Sequence, residues 1–261
     1  MEMTKYLIIP ARENMDESIN LSLQYHLGFE FNDFFVPTVL QDEKKYRAIR
    51  DFYQSKPLPE LCTSHGAFFD IIVFSEDPEI AKVSEMRVRQ SMDIANELGA
   101  KGVIFHTNIE PMLTSEIYRK NWLDRTKNFF TVICGEYPHI NVYMENMFDK
   151  DPEELCKLAE AMKDVPNFGV CFDYAHAYIS HTGVSEWAKT LGPYIRHVHI
   201  NDNDGENDLH LAVGEGVIDW KKFLKLQKEY FPDATVLVET STVERQRKSL
   251  EFMEDAGFFA E

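Results

Sequence analysis

Short apolar runs alternate along the whole chain with longer stretches whose apolar positions recur every three to four residues. The runs predict strands at 6–9, 28–31, 61–65, 102–106, 141–145, 169–173, 197–200 and 235–239. The stretches between them predict helices near 15–26, 40–54, 78–98, 115–136, 151–163, 184–190, 219–230 and 243–256. Local signals mark several ends. Asp77-Pro78-Glu79 and Asp151-Pro152-Glu153-Glu154 each read as an N-cap followed by proline and first-turn acids, which suit the helix dipole. Gly99 stands where a left-handed C-cap would end a helix. The second unit, FEFNDFFVPTVL, has no clean boundary.

Strand–helix units that repeat without a linker or low-complexity tract predict one α/β domain over residues 1–261, a (β/α)8 TIM barrel. The length of 261 residues agrees with the roughly 250 of a typical barrel. A doubly wound open sheet is the alternative. It is disfavoured because PARENM, after the first strand, holds neither a GxGxxG pattern nor a P-loop.

The polar residues that end the apolar runs add chemistry. Glu145 ends VYME, Asp173 and His176 lie in VCFDYAHA, His199 in RHVHIND, Asp208 and His210 in NDLH, and Glu239 in VLVET. A barrel gathers the C-terminal ends of its strands at one face. Glu145, Asp173, His199 and Glu239, on strands five to eight, can therefore surround one divalent cation. Three carboxylates and one imidazole suit Mn²⁺ first, with Mg²⁺, Co²⁺ or Zn²⁺ as alternatives. A single polar strand end commonly caps the next helix. Four in register on successive strands are not explained that way.

Charge and cysteine usage narrow the setting. The net charge of −17, from 27 basic and 44 acidic residues, disfavours nucleic acid and anionic membranes as partners. Cys62, Cys134, Cys156 and Cys171 show no CxxC spacing and read as buried thiols of a reducing compartment. No stretch approaches the roughly 18 apolar residues of a membrane span, and MEMTKYLIIPARENM does not read as a secretory leader. The expected location is cytoplasmic.

The segments SHGAFFD (64–70), FHTN (105–108), MEN (144–146), FDYAHA (172–177), HVHINDNDGENDLHLAVGEGVIDW (197–220) and VET (238–240) resemble the xylose-isomerase-like TIM barrel superfamily. That group holds sugar isomerases and epimerases and the endonuclease IV class of DNA repair enzymes. The resemblance implies that Glu145, Asp173, His199 and Glu239 are metal ligands, with Glu145 and Glu239 also moving a proton through an enediolate. It implies further metal or substrate roles for His65, His106, His176, Asp208 and His210. The expected activity is that of a divalent-metal-dependent sugar isomerase or epimerase acting on a small sugar or sugar derivative. An endonuclease IV-like zinc phosphodiesterase acting on abasic DNA is the alternative, as is a dehydratase or lyase on the same barrel. The segments TNIEPMLTSEI, NMFDKDPEE and NDNDGEND are acidic or neutral, which favours the sugar over the duplex. Barrels of this group often pair, so a homo-oligomer remains open.

Several residues carry lesser expectations. Arg12 suits a surface salt bridge better than a substrate contact. Glu30 and Asn32 suit either substrate or a neighbouring loop, and Phe68 or Phe69 an apolar wall at the mouth. Trp122, Trp187 and Trp220 suit core packing, and His139 and His181 local hydrogen bonds.

Overall fold

A computed structural model describes residues 5–259 apart from 69 and 181, so the expectations for Phe69 and His181 lie outside the described residues. Among the described residues, eight parallel strands close into one barrel in sequential order. They are β1 (Tyr6–Ile8), β2 (Gly28–Phe31), β3 (Cys62–His65), β4 (Gly102–His106), β5 (Asn141–Glu145), β6 (Phe168–Asp173), β7 (Ile195–Ile200) and β8 (Thr235–Val238). β8 closes on β1 with Leu237 opposite Leu7. Both faces of a barrel strand are covered, by the lumen contents and by the outer helices. That double burial is why these strands read as continuous apolar runs.

The outer layer holds α1 (Met15–Tyr25), α2 (Pro37–Leu40), α3 (Glu43–Gln54), α4 (Pro78–Leu98), α5 (Glu116–Glu136), α6 (Glu153–Ala161), α7 (Tyr174–Ile179), α8 (Val184–Leu191), α9 (Trp220–Tyr230) and α10 (Val243–Asp255). Asp77 caps α4 by accepting from the Glu79 amide, and Gly99 ends it at φ 71°, both as the sequence predicts. The helix predicted at 40–54 is α3, which starts three residues later, and the short α2 ahead of it is not predicted. Asp42 is extended and accepts from the Lys45 amide, which restarts the chain as α3. α6 begins later than predicted, with Pro152 at its N-cap, and Asp151 accepts from the Glu153 amide one residue outside.

Trp122, Trp187, Phe172 and Phe223 are fully buried, and Trp220 is nearly so, which fits the expected core roles. Trp122 also donates to the Thr107 carbonyl at 3.0 Å and so ties α5 to the chain just beyond β4.

Candidate metal centre

Two-residue spacing within a strand puts two side chains on one face, a rung apart. In this barrel that spacing pairs Tyr143 with Glu145, Cys171 with Asp173, and His197 with His199. The upper members lie at the C-terminal strand ends, and register aligns them: His106 is opposite Glu145, and Asp173 is opposite His199. Glu145 Oε2 lies 3.2 Å from His106 Nε2, 3.9 Å from His65 Nε2 and 3.4 Å from His199 Nδ1. Glu239 Oε2 approaches the same His199 nitrogen at 3.6 Å and His210 Nδ1 at 3.7 Å.

The remaining residues reach this face through two local devices. Asp173 is both strand end and N-cap. Its Oδ1 accepts from the His176 amide at 2.6 Å, which starts α7 and swings His176 over the mouth. Asn146 braces the same corner, exchanging side-chain hydrogen bonds with the backbone of Asp173 and accepting from His176 Nδ1 through its carbonyl.

The second device is Asp202. Wholly buried, its carboxylate accepts from the amides of Asn203, Gly214 and Ile218 and from the Trp220 indole. It thereby folds the loop after β7 back on itself, with Leu211 bridged to its own backbone. A Cβ on Gly216 would come within 2.3 Å of the Asp202 carboxylate, so the glycine is required there. The fold-back brings Asp208 Oδ2 to 3.3 Å from His176 Nε2 and 3.1 Å from His210 Nε2. His210 holds φ 46°, a left-handed backbone uncommon outside glycine and consistent with a constrained site.

Three donor groups result, each with its ligand atoms within 4.8 Å of one another: His65–His106–Glu145, Glu145–Asp173–His199 and His176–Asp208–His210. Glu145 belongs to two of them. Glu239 stands beside the central group rather than within its tight set. Four buried atoms here, Glu145 Oε2, Asp173 Oδ2, His199 Nδ1 and Glu239 Oε2, have no hydrogen-bond partner among the described residues. Buried polar atoms are normally paired, so four orphans converging on one point fit a cation held among them. Cys171, His197 and His199 form a fourth group by proximity. It does not suit an ion. Burial pushes the Cys171 thiol well up, and His197 has both nitrogens engaged, by Thr235 Oγ1 at 2.6 Å and Glu30 Oε2 at 3.1 Å.

Protons stand where cations would bind. Burial opposes the charged forms of His199 and His176, yet the acids around them hold both well above the ordinary histidine range. His210 is likewise opposed by burial and carried by Glu239 and Asp208 to about 10. Burial raises Glu239 to about 7 against the pull of His199 and His210. Burial also opposes ionisation of Glu145, but His199 and His106 keep its carboxyl well below the usual range. His65 lies at about 4, lowered by burial and then by His106.

Ligation requires the deprotonated forms, so cation uptake must expel these protons. Apparent affinity should accordingly climb from about pH 6, through the Glu239 titration, toward about pH 10, where His210 loses its proton. Calorimetry at neutral pH in buffers of different ionisation enthalpy checks this. Uptake without proton release would contradict the site.

Fold and site together define a parallel barrel with a cluster of metal-capable side chains at the C-terminal ends of its strands. The chain belongs to the xylose isomerase-like TIM barrel family, which residues 25–256 match. It is 29% identical over 204 residues to an uncharacterized protein of Methanocaldococcus jannaschii, covering 73% of this chain and 68% of that one. It is 22% identical over 260 residues to a "Probable endonuclease 4" of Mesomycoplasma hyopneumoniae (strain 7448), covering 92% and 90%. Among solved structures, a D-tagatose 3-epimerase-like protein superposes with TM-score 0.75 at 24% identity over 97% of this chain and 96% of its own. A Thermus thermophilus protein soaked with ZnCl₂ superposes with TM-score 0.75 at 23% identity over the whole of both chains. At these identities the structural likenesses are of fold.

The lesser expectations sort themselves in the same geometry. Arg12 pairs with Asp33 at 2.6 Å, as a surface salt bridge. His139 pairs with Asn96 at 2.9 Å. Phe68 lies edge-on to His106 with centroids 4.3 Å apart, as part of the wall beside the site. Glu30 is wholly buried in the barrel lumen, its carboxylate against Thr63, His197 and His199. Sequence patterning does not single out Asp202. The hint is its place at the head of a loop in which Gly214, Gly216 and Trp220 all meet it.

Proposed function

We propose that the chain is a divalent-metal-dependent isomerase or epimerase of a small sugar, with Mn²⁺ as the first candidate ion. Glu145, Asp173, His199 and Glu239 would hold it. When bound, such an ion supplies Lewis acidity to adjacent carbonyl and hydroxyl oxygens, which acidifies the C–H bond between them. One glutamate would take the carbon-bound proton, and the other would return a proton to the opposite face of that carbon in an epimerase or to the neighbouring carbon in an isomerase. His176, poised beside Asp173 and Asp208, orients a substrate hydroxyl.

The observation that carries this reading is the pairing of Glu145 and Glu239. Both face His199 Nδ1, at 3.4 and 3.6 Å, from two different strand ends. Two carboxylates that reach one donor group from separate strands can serve as base and acid toward one bound molecule. Incubation with Mn²⁺ and a panel of ketoses and aldoses in deuterated water tests it. Deuterium should enter at one carbon alongside isomerisation, and a panel that shows neither rejects the proposal.

The two outer donor groups favour a second reading, a three-zinc phosphodiesterase. Exposed Glu76, Glu110, Asp204 and Glu206 in the strand-end loops weigh against a duplex substrate, which is held chiefly by cationic contacts to phosphate. Cleavage of an abasic-site oligonucleotide with three zinc ions per chain would establish it instead.

A further inference from the structure

The barrel lumen holds a charged group that the ligand cluster does not use. Glu30, on β2, is completely buried, as are His197 and His199 beside it. Its Oε2 accepts from Thr63 Oγ1 at 2.7 Å and lies 3.1 Å from His197 Nε2. Its Oε1 lies 3.2 Å from His199 Nε2, and among the described residues neither atom has another hydrogen-bonded partner. His197 is itself fixed: its Nδ1 is 2.6 Å from Thr235 Oγ1, and its ring stacks on Tyr143 with centroids 5.5 Å apart and 14° between planes.

We propose that Glu30 is a positioning residue that fixes the ring orientation of His199 and keeps a proton on its Nε2, so that Nδ1 is the nitrogen that gives up its proton to a cation. The two ring nitrogens point opposite ways. With Nε2 turned to the Glu30 carboxylate, a proton belongs on Nε2, and it is Nδ1 that faces the side where Glu145 and Glu239 lie. A carboxylate behind a ligating imidazole also makes that ligand more basic. Thr63 and His197 keep the carboxylate from rotating away, and Thr235 and Tyr143 keep His197 in place. Glu30 does not itself suit a cation ligand, because it lies on the far side of the imidazole from the converging acids, with Oε2 already taken up.

This inference rests on His199 being a metal ligand, so its test reads metal binding and not turnover. The probe is Co²⁺, titrated into the chelator-stripped protein and followed by visible absorption, with affinity measured against a competing chelator. E30Q keeps the shape and removes the charge. It should melt close to the wild type without metal, yet bind Co²⁺ about 10- to 100-fold more weakly with an altered spectrum. T63V keeps the carboxylate but removes one of the two contacts that hold its Oε2, and should give a smaller loss in the same direction. It serves as the measured variant if E30Q does not fold. Wild-type Co²⁺ affinity and spectrum in a folded E30Q, or in T63V where that is the measured variant, would overturn the proposal and leave Glu30 a packing residue. A wild-type protein that binds no Co²⁺ would overturn the metal reading along with it.

Discussion

Glu145→Gln should cost the protein two of its three candidate cation positions at once, and with them about 10³-fold or more of any metal-dependent turnover. Its Oε2 is the closest acidic atom to His106 and to His199 Nδ1, and it also faces His65. Glutamine keeps the volume but loses the charge, and its amide presents hydrogens in a place that needs lone pairs. His210→Ala, by contrast, removes a ligand only from the group at the loop after β7. Elemental analysis of dialysed protein after metal loading separates the two. E145Q should fall by more ions per chain than H210A, and an E145Q that retains the wild-type count would show that Glu145 does not bridge.

The elements of this fold are readable because parallel strands covered on both faces leave nearly unbroken apolar runs. β2, β4 and β5 occupy the segments the pattern predicts, and the other strands differ by one or two residues. The pattern misses the short α2 and, beside the site, α7. It begins at Tyr174 with no polar break after β6, since Asp173 serves as strand end and helix cap together. His176, Asp208 and His210 lie off the strands, but Glu145, Asp173, His199 and Glu239 are legible for the same reason as the strands, because each stands at the end of an apolar run. Their supports are not. Glu30 and His199 are 169 positions apart in the chain and meet only when β2 and β7 share a lumen. Asp202 draws its donors from residues spread between 203 and 220, so its role depends on a loop conformation that it helps to create. A pattern read along one strand reports which face a residue occupies. It does not report which residue from across the barrel occupies it too.

On the proton-transfer proposal, Glu239→Gln should lower solvent hydrogen exchange into the substrate by about 10²- to 10⁴-fold while leaving most bound metal in place. The asymmetry comes from position. Glu239 lies beside the central donor group, whereas the tight sets of all three groups are complete without it. Glutamine there still offers an oxygen toward His199 and His210, but it cannot carry a proton between carbon and solvent. A hydrolytic enzyme on the same frame would respond differently. Its chemistry needs an attacking water and a stabilised leaving oxygen, both of which several ions can supply, so E239Q would weaken cleavage without touching any C–H bond. Measuring deuterium incorporation and metal content on the same preparation therefore tests the role directly. Exchange that persists at the wild-type rate in metal-loaded E239Q would remove Glu239 from the proton path and, with it, the two-glutamate mechanism.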